Sequence, residues 1–164
     1  MAADLLTDEK EIVLVAFKLG CEEYTLPIED VQEIIVLPSI THIPKVPAFV
    51  EGIINLRNHI IPIVDGRKKF NIPAVSNNSE ERIIVLTLES HTIGLIVDAV
   101  SEVISLKTSN IESSPVDFDE NGFITGVGKL DDRLLILLDP KNLMTLNEVK
   151  SLQNLSQIKQ KPEI

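Results

Sequence analysis

Leu-Pro-Ile-Glu-Asp-Val-Gln-Glu-Ile-Ile-Val-Leu occupies residues 26–37, and Leu-Ile-Val-Asp-Ala-Val-Ser-Glu-Val-Ile-Ser-Leu occupies residues 95–106. The two stretches match in their apolar positions, and Glu33 of the first aligns with Glu102 of the second. A second match follows, in which Phe-Val-Glu-Gly at 49–52 and Phe-Ile-Thr-Gly at 123–126 each precede apolar residues that end at an Asp. Repeats of this kind indicate two similar β-rich units in one chain.

The composition limits which residues can form the core and which classes of binding site the chain can contain. The chain has 164 residues, of which 44% are hydrophobic and only 4% aromatic, with no Trp and one Tyr. The core must therefore be built from Ile, Leu and Val, which favour pleated sheet. The scarcity of aromatic side chains argues against sugar sites, single-strand stacking platforms and most small-molecule pockets.

The charge argues against binding to nucleic acid or to a membrane surface, and the cysteine content argues against an internal disulfide. The formal net charge is −10 and no basic stripe is present, so nucleic acid and anionic membrane surfaces would be repelled. No apolar run approaches 18 residues and no leader-like segment opens the chain, which predicts a cytoplasmic protein without direct membrane insertion. The single Cys21 has no second cysteine with which to pair.

Ten short strands are predicted from the apolar runs and the turn signals between them. Five fall at 12–19, 24–28, 31–37, 50–56 and 60–64, and five at 82–88, 92–97, 100–106, 123–127 and 134–138. Their connections are too short for crossover helices, so we expect two small five-stranded barrels packed together. A short helical turn is predicted at 67–70 and a C-terminal helix after Pro140.

The expected organisation is a single domain over residues 11–145. Its first subdomain covers about 12–70, a polar linker covers 71–81, and the second subdomain covers about 82–139. Residues 140–164 form the C-terminal helix and a polar tail. Structural turns are assigned to Gly20, Gly52, Gly94 and Gly126, because glycine allows conformations that other residues resist.

Arg57 marks the largest chemical difference between the two copies. The first copy has Asn-Leu-Arg-Asn-His at 55–59, where the second has Lys-Leu-Asp-Asp-Arg at 129–133. A guanidinium that projects from rigid strands can bind a polar group of a partner, or pair with Glu33 to shape a docking surface. The alternative is that Arg57 is a solvated turn residue and Glu33 a solvated strand charge.

Nothing in the sequence supports catalysis or a cofactor. Residues 117–122 imitate the start of a calcium loop, but Gly128 stands where a bidentate carboxylate is needed. The three His residues lack ligand spacing, and no nucleophile elbow or phosphate-cradling glycine loop is present. We therefore expect no enzyme activity, no metal and no cofactor.

Several short motifs along the chain resemble those of the CheW family of chemotaxis coupling proteins. The resemblance rests on Phe17-x-Leu-Gly-x-Glu-x-Tyr24, Ile43-Pro-x-x-Pro-x-Phe49, Gly52-Ile-Ile-Asn-Leu-Arg57, Ile61-Pro-Ile-Val-Asp65, Gly94-Leu-Ile-Val-Asp98 and Arg133-Leu-Leu-Ile-Leu-Leu-Asp139. It covers about residues 11–145. Two positions depart from the family pattern, since Asn58 replaces a usual Gly and Gly66 a usual Leu.

The resemblance implies two SH3-like barrels around a shared hydrophobic interface, and a non-catalytic adaptor. Such a protein couples the cytoplasmic tip of a chemoreceptor to the regulatory domain of the chemotaxis histidine kinase, and helps assemble the receptor array to which it is recruited. The implied partner-binding residues are Val31, Glu33, Arg57, Asn58 and Val100.

Three alternatives stay open at this point. The first is the CheW-like part of a related chemotaxis protein, either CheV or the kinase regulatory domain; CheV would need an appended receiver domain, and the chain stops at Ile164. The second is a nucleic-acid-binding β-barrel, which the acidic charge disfavours. The third is an enzyme without a recognisable nucleophile.

Overall fold

The computed structural model describes residues 10–73, 80–88, 91–113 and 123–143. Within these ranges the regular structure is mostly strand. The strands are β1 (Glu11–Leu19), β2 (Glu22–Pro27), β3 (Val31–Val36), β4 (Val50–Leu56), β5 (His59–Asp65), β6 (Arg82–Leu88), β7 (His91–Val97), β8 (Ala99–Lys107), β9 (Ile111–Ser113), β10 (Ile124–Leu130) and β11 (Arg133–Leu138). A single α-helical turn, α1 (Gly66–Lys69), follows β5, and 3-10 turns occupy Ile28–Asp30, Thr108–Asn110 and Pro140–Asn142.

The strands form two sheets. Sheet 1 has the order β8-β1-β2-β11-β10-β9, and sheet 2 has the order β3-β6-β7-β5-β4. Neighbours pair antiparallel, except for β2 with β11 and β5 with β7, which pair parallel. The mostly β architecture of two subdomains is confirmed. The ten predicted strands are all present, together with β9, which is three residues long and carries no apolar pattern that could have predicted it.

The sheets do not divide the chain at the linker. Sheet 1 combines β1 and β2 of the first half with β8 to β11 of the second, and sheet 2 combines β3 to β5 with β6 and β7. The boundaries expected for the subdomains, 12–70 and 82–139, are therefore wrong as sheet boundaries. Each sheet takes the first two strands of one repeat and the last three long strands of the other.

The described residues form three hydrophobic clusters, one within each sheet and one between the sheets. One lies within sheet 2 and includes Ile54, Ile63 and Ile83, and another lies within sheet 1 and includes Leu106 and Leu135. The third is shared, and its buried members come from both sheets: Phe17, Leu19, Tyr24, Leu26, Val50, Val64, Ile84, Leu86, Leu88, Ile93, Leu95, Val97, Leu138 and Leu143. This shared core is the hydrophobic interface expected between the subdomains.

Three of the four glycines that were assigned to structural turns do not lie in turns. Gly20 does lie in the β1–β2 turn, with a φ of +63°. Gly52, Gly94 and Gly126 instead lie inside β4, β7 and β10, so their assignment to turns is wrong. They occupy places where another part of the fold approaches closely, as at Gly126, where a Cβ would lie 2.6 Å from the carbonyl oxygen of Glu112.

Two regions of the sequence analysis are only partly covered. Residues 71–73 and 80–81 of the expected linker contain no helix or strand, and residues 74–79 lie outside the described residues. The C-terminal helix and polar tail lie outside them beyond Leu143, as does the acidic segment at 117–122.

Candidate partner-binding site

The tip of the β4–β5 hairpin sets the position of Arg57. Leu56 pairs with His59, so Arg57 and Asn58 form a two-residue turn, with φ values of +51° and +69°. Positive φ at both central residues belongs to the tight turns that suit the twist of a β-hairpin. Asn is among the side chains that best tolerate this region, which explains why Asn58 can stand where the family has Gly.

Arg57 forms a two-pronged ion pair with Glu33 on β3. Its Nη2 donates to Oε1 of Glu33 at 2.7 Å, and its Nη1 donates to Oε2. The pairing of these two residues, one of the two roles that the sequence analysis offered for Arg57, is present, whereas binding of a partner by Arg57 stays a prediction. These hydrogen bonds hold the pKa of Glu33 below its ordinary value of 4.5, so the carboxylate is ionised at neutral pH.

The pair is oriented and yet accessible. The Arg57 side chain is 67% exposed and that of Glu33 is 21% exposed. Gln32 holds Glu33 from one side, because its Nε2 donates to Oε2 at 3.4 Å while its own Oε1 accepts from the Thr87 hydroxyl at 2.9 Å. A fixed guanidinium of this kind can offer its remaining N–H donors to a carboxylate or carbonyl of a partner.

The second repeat also supplies an arginine to its matching glutamate. Asp131 takes the turn position of Arg57, with a φ of +54°, but Arg133 two residues later reaches Glu102 through Nη1 at 2.8 Å. Arg133 also binds both carboxylate oxygens of Glu23, at 2.9 and 2.7 Å. These bonds lower the pKa of Glu23. The glutamate that recurs in the two copies is therefore paired with an arginine in both. Only the position of that arginine within the repeat differs.

Val31 and Val100 occupy equivalent places beside bulges. In the β3–β6 ladder, the register shifts between Val31 and Glu33. In the β1–β8 ladder, it shifts between the two β1 residues that pair with Val100 and Glu102. Both valines are half-buried against the shared core. Of the five predicted residues, Glu33 and Arg57 thus form an ion pair at the hairpin tip, and Val31 and Val100 each pack against the shared core.

Exposed apolar side chains were not singled out from the sequence. Near β3 these are Ile34, Val36 and Leu37, with Val36 70% exposed, and on sheet 1 they are Val103 at 56% and Leu134 at 62%. Apolar residues on strands are expected to be buried, so the sequence alone could not identify them. Large exposed apolar residues grouped on one strand are typical of interaction surfaces.

Metal-ligating clusters and membrane-spanning helices were looked for in the described parts of the chain. Residues 10–73, 80–88, 91–113 and 123–143 contain no group of three or more His, Cys, Asp or Glu that could hold a metal ion. Over the same ranges, no helix is long and apolar enough to cross a membrane.

Comparison with known proteins identifies the family. The CheW-like domain matches residues 13–148. The chain is 38% identical over 143 residues to the chemotaxis protein CheW of Klebsiella aerogenes, covering 85% of this chain and 86% of that protein. It is 32% identical over 157 residues to the chemotaxis protein CheW of Treponema pallidum, covering 92% of each.

A solved structure agrees with the sequence comparison. The scaffolding protein TtCheW from Thermoanaerobacter tengcongensis superposes with a TM-score of 0.78 and 40% sequence identity, covering 85% of this chain and 96% of that one. The family match, the two relatives and the shared fold each cover more than four fifths of the chain. The chain belongs to the family of proteins with a CheW-like domain.

Proposed function

We propose that this protein is a non-catalytic chemotaxis adaptor. It couples the cytoplasmic tip of chemoreceptors to the chemotaxis histidine kinase, and helps assemble the membrane-bound receptor array to which it is recruited from the cytoplasm. The relatives named chemotaxis protein CheW and the structure titled a scaffolding protein support this proposal. The observation that carries it is the exposed, oriented Arg57–Glu33 pair beside the junction of two sheets.

The receptor tip is assigned to the region of Val31, Glu33, Arg57, Asn58 and Val100. Val31 and Val100 offer half-buried apolar contact at the shared core. Arg57 and Asn58 project polar groups from a tight turn, whose geometry does not depend on the partner. Apolar contact at the centre with an oriented arginine beside it is a common composition for a binding hot spot.

The regulatory domain of the kinase is assigned to the outer surface of sheet 1. Val103 and Leu134 are both more than half exposed there. Glu102 and Arg133 form an ion pair between the same two strands, and because successive side chains of a strand point to opposite faces, this pair leaves Val103 and Leu134 uncovered. The Arg57 hairpin lies on sheet 2 and the kinase surface on sheet 1, with Val100 at the start of β8 between them, so one chain can hold both partners at once, as coupling requires.

Separate chemical-shift mapping with each partner tests the bridging arrangement. A receptor tip fragment is expected to perturb the amides around Val31, Arg57 and Val100, and the kinase regulatory domain those around Val103 and Leu134. Adding the second partner to the first complex should then give a ternary complex. Competition for one common set of residues would contradict bridging.

Substitution of Arg57 is expected to weaken coupling and leave the fold intact. Exposed ion pairs add little stability, so the melting temperature of Arg57→Ala should stay close to that of the wild type. Loss of a charge-assisted hydrogen bond across an interface should lower receptor affinity about tenfold or more. Arg57→Lys should not restore it, because an ammonium lacks the planar fork of the guanidinium.

The matched control is Lys129→Ala, which removes an exposed ion pair with Glu112 near the equivalent hairpin of sheet 1. Receptor affinity and receptor-dependent kinase stimulation are measured for all three variants. A folded Arg57→Ala protein with normal coupling would make Arg57 a solvated turn residue.

A further inference from the structure

Asp98 lies where the chain passes from sheet 2 to sheet 1. It follows the last residue of β7 and precedes β8, and it is only 6% exposed. Its backbone N–H donates to the carbonyl of Lys18 at 2.9 Å, and its Oδ2 accepts from the backbone N–H of Gly20 at 2.7 Å. The carboxylate is therefore bound to the β1–β2 turn of sheet 1.

Arg67 holds the other side of Asp98. It lies on α1 directly after β5 of sheet 2, is 9% exposed, and approaches Oδ1 of Asp98 with its Nε at 2.8 Å. Its Nη2 donates to Glu81, just before β6. A continuous chain of polar contacts thus links two segments of sheet 2 to the tight turn of sheet 1.

The helical turn that carries Arg67 is closely packed between the sheets. Asp65 fixes its start, since Oδ1 accepts from the backbone N–H of Arg67 at 2.9 Å. A Cβ on Gly66 would lie 2.6 Å from the carbonyl oxygen of Ile96 and 3.0 Å from Cδ2 of Leu19. The Leu that is usual in the family therefore has no room here, and Leu19 and the backbone at Ile96 fill that space.

The equivalent crossover between β2 and β3 has no comparable buried pair. By the repeat, Glu29 takes the place of Asp98 and Lys141 the place of Arg67, and both are exposed. Of the two crossovers that join the sheets, only the one at Asp98 is therefore tied by a buried ion pair.

We infer that Arg67 and Asp98 are positioning residues that fix the orientation of sheet 1 relative to sheet 2. The shared core between the sheets is apolar, and hydrophobic contact is non-directional. A buried ion pair is weak as a source of stability but strict in its geometry, so it specifies one arrangement among several that would bury similar area. The pair sets the angle between the two surfaces assigned to the partners, and this last step alone rests on the proposed function.

The test is a distance measurement in the full-length protein without partners. With Cys21 changed to Ser, spin labels are attached at Asn55→Cys on β4 and Ser105→Cys on β8, both exposed and on different sheets. The distance distribution is recorded for the labelled protein and for three variants, Asp98→Asn, Arg67→Lys and Arg67→Met. Lys68→Met is the matched control. Lys68 lies on the same helical turn as Arg67, and the substitution breaks its exposed ion pair with Glu51.

A narrow distribution is expected for the labelled parent and for Lys68→Met. Asp98→Asn keeps an acceptor for the Gly20 N–H but presents an amide donor to Arg67, so its distribution should broaden or shift. Arg67→Met should broaden it further, and Arg67→Lys should lie between. Folded Asp98→Asn and Arg67→Lys proteins with the parent distribution would overturn the inference, and so would failure of all three to fold, which would make the pair a requirement of folding alone.

Receptor-dependent kinase stimulation gives the second readout. In Asp98→Asn it should fall about tenfold while the affinity for each separate partner stays unchanged, because the two surfaces are intact but differently oriented. Unchanged stimulation with an altered distance distribution would overturn the part of the inference that concerns coupling. Absence of stimulation in the parent protein would contradict the proposed function and leave the distance result to decide the inference.

Discussion

Residues 1–78 expressed alone are expected to be unfolded. This fragment contains β1 to β5, but the two parallel pairings and the β1–β8 and β3–β6 ladders all need strands from the second half. What is left is the β1–β2 and β4–β5 hairpins and an unpaired β3. Isolated hairpins are marginal in water, and the fragment would also expose its part of the shared core.

Amide dispersion in NMR spectra is the measurement, with full-length protein as the reference. The fragment should show the narrow dispersion of an unfolded chain. Adding residues 79–164 supplies β6 to β11, so the mixture should recover the dispersion of the intact protein. A well-dispersed, cooperatively melting fragment 1–78 would show that the exchanged pairing is not required, and would contradict the sheet arrangement.

The same exchange explains what the sequence could predict and what it could not. Strands and hairpins follow from local patterns, so β1–β2, β4–β5 and β10–β11 could be identified from apolar runs and the turns between them. The pairing of β1 with β8 could not be identified in this way. Because the two repeats carry similar patterns, a strand fits its counterpart in either copy, and the choice depends on the tertiary packing of the whole chain.

The candidate site shows a similar division. The pairing of Arg57 with Glu33 could be anticipated from a guanidinium at a turn and a repeated glutamate. The role of Arg133 was missed because comparison of the copies position by position set Asp131 against Arg57, whereas the feature that both copies share is an arginine–glutamate contact. In the sequence, Asp98 could be identified only as a residue of the family motif and Arg67 only as part of a basic helical turn. Their pairing could not be predicted, because the burial of the pair depends on both sheets.

Substitution of Gly52 by Ala is expected to have the largest effect of any single change considered. Gly52 has a φ of +151°, and a Cβ there would lie 2.0 Å from the carbonyl oxygen of Thr41. That oxygen accepts from the backbone N–H of Ile53 at 2.9 Å, and the Thr41 N–H returns a bond to Ile53 at 2.9 Å. The methyl group must break this bridge and strain the backbone as well, so the loss should exceed about 3 kcal/mol.

Urea denaturation of three variants measures this effect against suitable references. Asn55→Ala lies on the same strand with an exposed side chain, and should change the free energy of unfolding by no more than about 0.5 kcal/mol. Gly126→Ala meets the equivalent carbonyl of Glu112 at 2.6 Å, so its cost should be smaller than that of Gly52→Ala. If Gly52→Ala unfolds at the urea concentration of the wild type, the Thr41–Ile53 bridge does not pack against Gly52 as described.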